Sequence, residues 1–161
     1  MRLAWLRFLV LILAALTLSL EFTHVLELPQ KMGYDPKLYS AVNTSLYLYF
    51  ALVGGPLTVL TLMSGIALAV LTRRESEFRW TLAGVLAYCT AFVIWLSVVS
   101  PVNERIAVAM ARAPDTLPQL WMGLKARWEY GHATGFVLEF AGLACLLWSV
   151  SGARARPSGA P

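Results

Sequence analysis

The chain has 161 residues, 58% of them hydrophobic and only 14% charged, and its mean hydropathy is +0.65. Soluble domains carry about a quarter charged residues, so this composition excludes a disordered chain and argues against an ordinary soluble domain. Four segments of about 20 apolar residues each would leave no room for a large catalytic domain outside a bilayer. The net charge of +4 does not make nucleic acid a partner, because Lys and Arg punctuate apolar runs instead of forming a patch.

In chain order, apolar runs at residues 3–28, 46–71, 80–99 and 132–150 are each long enough to cross a bilayer as a helix. The expected fold is therefore all-α: a single four-helix transmembrane bundle over residues 1–150, with a short helical outer loop between the third and fourth spans. Within the first run, Arg2 and Arg7 ahead of the apolar core Leu9 to Leu20 resemble a secretory leader. However, Glu21-Phe22-Thr23-His24 follows the apolar core with no small-x-small cleavage site, so the segment reads as a retained span. In the second run Gly54-Gly55-Pro56 should kink or open the helix. Thr58, Thr61, Gly65 and Ala69 form a small-residue stripe suited to close packing. Cys89 and Cys145 lie inside apolar runs, where a thiol behaves as a small buried hydrophobe. In the outer loop residues 102–113 are good helix formers, Pro114 and Pro118 interrupt, and Trp121, Trp128 and Tyr130 fit an interfacial aromatic belt. The tail at residues 151–161 is rich in Gly, Pro and Ser and is expected to be disordered.

With both termini in the cytoplasm, seven Lys or Arg residues fall inside and six outside, a near tie. Density separates the two sides: Arg73, Arg74 and Arg79 cluster in one short inner turn, while the outer cations, Lys31 and Lys125 among them, spread over two longer loops. The expected location is the cell inner membrane, multi-pass, with both termini and the tail cytoplasmic.

Ionisable residues inside the spans are the informative feature. Glu21, His24 and Glu27 occupy the outer third of the first span; Glu129, His132 and Glu139 stand at the start of and within the fourth. A carboxylate at hydrocarbon depth costs several kcal/mol unless paired, protonated or liganded. Glu21 and His24 share a helix face, as do Glu129 and His132, while His132 and Glu139 are nearly eclipsed. Antiparallel first and fourth spans would bring Glu21, His24, His132 and Glu139 level around one pocket open to the outside. Two Glu-x-x-His pairs are how di-iron bundles hold metal, but the middle helices add no acid. The ligand types would suit one transition metal ion, iron, copper or zinc. The competing reading is a satisfied hydrogen-bonded network with protonated carboxyls. For Glu27 and Glu129 the favoured reading is solvation of helix ends at the water boundary. Arg127 and Arg105 could clamp an acidic group at the mouth or simply snorkel.

Pro101-Val102-Asn103-Glu104-Arg105-Ile106-Ala107, followed by Trp121 and by Arg127-Trp128 leading into a last span at His132, resembles the anthrone-oxygenase-like family of small four-span membrane proteins. The similarity covers nearly the whole chain, and most members have no assigned activity. The resemblance implies oxygenation of anthrones to anthraquinones without a well-defined cofactor. Many members carry Asn, then a basic residue three positions on, at the head of the last span; here those positions hold His132 and Gly135. Asn103 is the polar residue that the motif match carries over, and a turn or helix cap is its alternative role.

The resulting expectation is an oxygenase-type oxidoreductase acting on a hydrophobic aromatic molecule that enters from the lipid bilayer. Glu21, His24, His132 and Glu139 would be its catalytic or metal-binding groups, and Asn103, Tyr47 and Arg127 its substrate contacts. The alternative is a non-catalytic membrane subunit or a proton or cation relay.

Overall fold

Leucine-rich stretches with few interior helix breakers fold as long helices, and the computed structural model, which describes residues 2–154, shows them. Helix α1 (Arg2–Met32) is followed by a short α2 (Pro36–Leu46), then α3 (Leu48–Leu71) and α4 (Phe78–Ile94). A π-helical turn (Trp95–Val99) joins α4 to α5 (Ser100–Arg112); a 3₁₀ turn (Pro114–Thr116) leads into α6 (Leu117–Arg154). Four stretches are long and apolar enough to cross a membrane: Leu3–Met32, Tyr49–Leu71, Phe78–Arg112 and Pro114–Gly152. The architecture is an all-α four-helix bundle, capped at one end by α2 and α5.

Several boundaries differ from the expected ones. The last helix begins at Leu117 and absorbs the second half of the expected outer loop. Residues 151–154 of the expected disordered tail continue α6 as helix; the rest of that tail lies outside the described residues. Helix α3 runs unbroken through Pro56. Helix α2 is an additional element, started by an Asp-Pro signal: Asp35 accepts from the backbone N–H groups of Lys37 (2.8 Å) and Leu38 (3.0 Å), and Pro36 fills the first helical position.

Pro101 explains the π turn. Proline has no N–H, so the carbonyl four residues back, that of Ser97, loses its helical donor. The ladder widens at Trp95–Val99, and Arg127 on α6 supplies the missing donors, to Ser97 O at 2.9 Å and Val98 O at 3.1 Å.

Close packing of α4 on α6 needs two glycines. A methyl on Gly84 would sit 2.8 Å from the Gly142 carbonyl, and one on Gly142 would sit 2.8 Å from the Tyr88 ring. The helices therefore meet backbone to backbone, as small residues allow in membranes. Beside this crossing Thr17 and Thr61 share a 2.8 Å hydrogen bond, the Tyr88 hydroxyl donates to Ala14 O (2.9 Å), and Arg7 pairs with Glu75 at the end of the bundle far from the cap. The apolar core divides into a cap cluster built around Tyr39, Trp121 and Trp128 and a far cluster around Val10, Val85 and Leu146. Trp121 and Trp128 are thus core residues, not the headgroup belt expected of them; Tyr130 is exposed. Indole rings that are 3% and 4% exposed are packed, edge to face, against Tyr39, against each other and against the imidazoles.

Candidate functional site

Between the two clusters lies a cavity of about 540 Å³, reaching from Asn43 and Trp121 under the cap to Thr17 and Glu139 in the middle of the bundle. Its open side lies between α3 and α5, which do not pack closely on each other. Ala51 and Gly55 on one side and Ala107 and Met110 on the other line this opening and are exposed. A side chain added at Gly55 would meet nothing within 4 Å.

Antiparallel packing of α1 on α6 assembles the polar wall, because the outer end of one helix lies level with the beginning of the other. Glu21, His24, His132 and Glu139 all line the cavity. His132 Nδ1 lies 2.9 Å from Glu21 Oε2. The two imidazoles stack, with centroids 4.1 Å apart and planes at 29°. His24 is further enclosed by Tyr47, Phe50 and Trp128 at 4.8, 5.4 and 4.9 Å. Gly135 makes room for the carboxylate, since a methyl there would lie 3.3 Å from Glu21 Oε2. Glu139 sits deeper on α6, is buried, and its Oε2 has no partner among the described residues; the same holds for His24 Nδ1.

Nothing among the described residues supports the expected metal centre. Among the described residues no three His, Cys, Asp or Glu side chains converge on a point where they could hold an ion. An imidazole binds metal along the in-plane lone pair of its nitrogen. Stacked rings keep those lone pairs in nearly parallel planes, and Glu21 already occupies Nδ1 of His132. Glu21, His24, His132 and Glu139 form a cluster of acidic and basic side chains on one wall of the cavity.

Of the expected substrate contacts, Tyr47 and Asn103 line the cavity and Arg127 does not. Arg127 is held by the Ser97 and Val98 carbonyls, on the outside of the π turn. Asn103 neither caps a helix nor closes a turn; its Oδ1 accepts from Trp128 Nε1 at 2.9 Å and ties α5 to α6.

Glu129 departs from the expected solvated helix end, whereas Glu27 stays partly exposed at the end of α1. Glu129 is 0% exposed, with Oε1 2.8 Å from Lys31 Nζ and 2.7 Å from the Tyr39 hydroxyl. Lys31 is buried too, donates to the Tyr47 hydroxyl at 3.0 Å, and stands over the rings of Tyr47 and Trp128 at 4.6 Å each. The Tyr47 hydroxyl in turn donates to Glu27. Burial first, and then the Glu129 carboxylate, pushes the Tyr39 phenol above its ordinary range; burial, then the hydrogen bond to Glu27, does the same for Tyr47. Both stay protonated and donate. Lys125, counted among the loop cations, is likewise buried and donates to Met32 O (2.8 Å) at the end of α1. This network lies one aromatic layer above the imidazoles. Its one legible sequence signal is the Glu27–Lys31 spacing of a helical ion pair.

Four apolar spans packed as a bundle make the chain a multi-pass membrane protein. Comparison with protein-family models, with curated proteins and with solved structures finds no match.

Proposed function

We propose that this membrane protein is an enzyme that takes a lipophilic aromatic molecule from the bilayer into the cavity and removes a proton from it with the His132–Glu21 pair. The observation that carries this reading is the 2.9 Å contact between His132 Nδ1 and Glu21 Oε2 on the wall of an otherwise largely apolar cavity. A carboxylate on one ring nitrogen fixes the tautomer and stabilises the imidazolium that forms when the other nitrogen takes a proton. His24, stacked on His132, backs that ring and holds it in place. The low dielectric of the cavity strengthens each of these interactions.

The resemblance to anthrone-oxygenase-like proteins gives this base a reaction. A benzylic CH₂ beside a carbonyl-bearing ring system loses a proton to His132. The carbanion passes its electrons to dioxygen and forms a C–O bond, and the hydroperoxide loses water to leave a ketone. One CH₂ is oxidised by four electrons, one O₂ is reduced by four, and one water leaves. Asn103 and Tyr47 are the polar contacts within reach of such a substrate. The Arg73, Arg74 and Arg79 cluster supports an orientation with both termini on the cytoplasmic side of an inner membrane and the capped end outside.

The test is turnover of anthrone by purified protein in lipid nanodiscs, followed by oxygen uptake and by deuterium entry at the CH₂ in D₂O. The wild type should do both. Glu21→Gln should slow both by about 100-fold or more, the range of general-base contributions. Unchanged rates in Glu21→Gln and in His132→Asn would overturn the assignment of the base.

A further inference from the structure

A buried polar atom without a partner costs free energy comparable to a lost hydrogen bond, so native proteins leave few of them and most mark a ligand, a water or an ion. Here five buried side-chain atoms lack a partner among the described residues, and four of them belong to residues lining the one large cavity: His24, Glu139, Asn43 and Trp121. The first two belong to the acid–base cluster. The other two lie at the opposite end, under the cap.

Trp121 and Asn43 are 3% and 6% exposed and both flank Tyr39. The Trp121 ring lies edge-on to Tyr39 (5.5 Å) and Trp128 (5.7 Å), which fixes the direction of its indole N–H. The amide nitrogen of Asn43 donates to Tyr39 O at 2.8 Å, which fixes its carbonyl as the free acceptor. One donor and one acceptor, neither of them paired, belong to residues that line the same end of the cavity, where a group that both accepts and donates would satisfy them. The Trp121 ring lies 5.7 Å from that of Trp128, which lies 4.4 Å from that of His132, so a single indole separates Trp121 from the imidazole. A ligand reaching both has a compact apolar body between them.

We infer that the capped end of the cavity is a head-group subsite in which Trp121 Nε1–H and Asn43 Oδ1 bind the hydroxyl of a lipophilic alcohol or phenol, away from the reacting carbon. The inference rests on the reading of the cavity as a small-molecule site. It makes Trp121 and Asn43 specificity-determining residues, with no part in proton transfer.

The test uses a matched pair of probes, 1-pyrenebutanol and 1-butylpyrene, which differ by one hydroxyl. Binding to the full-length protein in nanodiscs is read by energy transfer from tryptophan to pyrene and referenced to partition into protein-free discs. Wild type should prefer the alcohol by about tenfold, the scale of one to two hydrogen bonds. Trp121→Phe and Asn43→Leu should each cut that preference to threefold or less while leaving 1-butylpyrene binding within twofold, which shows the cavity is intact. Glu139→Leu should keep it. Equal binding of the two probes by wild type, or a preference lost in Glu139→Leu and kept in Trp121→Phe and Asn43→Leu, overturns the subsite. Failure of both probes to bind counts separately, against the cavity as a small-molecule site.

Discussion

At the scale of single residues, the buried Lys31–Glu129 pair has the sharpest energetic consequence. Each charge alone would be expensive under the cap; together they share a 2.8 Å contact and two tyrosine hydroxyls, and Glu129 Oε2 has no partner among the described residues. Removing one partner strands the other charge. Lys31→Met should therefore lose about 3–5 kcal/mol of stability, while Lys31→Met combined with Glu129→Leu should recover most of it, because a packed apolar pair needs no counter-charge. Unfolding in mixed micelles checks both; a double variant no better than the single would show that the pair's hydrogen-bond geometry, not its charge balance, holds the cap. These residues also mark the limit of what residue type and spacing reveal. Glu129 stands at an apparent helix start, the place for a solvated acid, and only α2, folded back over it with Tyr39, buries it.

The element scale is governed by the Pro101 defect and its repair. The Ser97 carbonyl left without a donor by Pro101 is taken up by Arg127, thirty residues further on in sequence and on another helix. Arg127→Met should cost about 1–3 kcal/mol in unfolding experiments and leave the apparent KM for anthrone within twofold. A rise in KM without loss of stability would return Arg127 to the substrate. Hydrophobic run length was enough to locate the four spans, since any 20-residue apolar stretch must satisfy its own backbone as helix. The level placement of Glu21, His24, His132 and Glu139 followed from antiparallel helices and a constant rise, and the 4.1 Å imidazole stack and the 2.9 Å His132–Glu21 contact agree with it. The metal reading depends on ring orientation, which spacing along a helix does not set. Nor were the length of α6 and the burial of Trp121 and Trp128 legible: Pro118 near a helix start breaks nothing, and aromatic residues suit a membrane interface and a packed cap equally well.

For the whole molecule, the arrangement that matters is the gap between α3 and α5, walled by Ala51, Gly55, Ala107 and Met110. On the proposed function this mouth faces acyl chains and draws on molecules dissolved in the membrane, not on those in the buffer. Occupancy then follows moles of substrate per mole of lipid. Adding protein-free vesicles to a proteoliposome assay, with total substrate unchanged, should slow turnover in proportion to the extra lipid, as a solvent reservoir dilutes any solute. A rate indifferent to that addition would mean that substrate arrives through water. If the rate does fall, the host cell controls this reaction by how crowded with substrate its own membrane becomes.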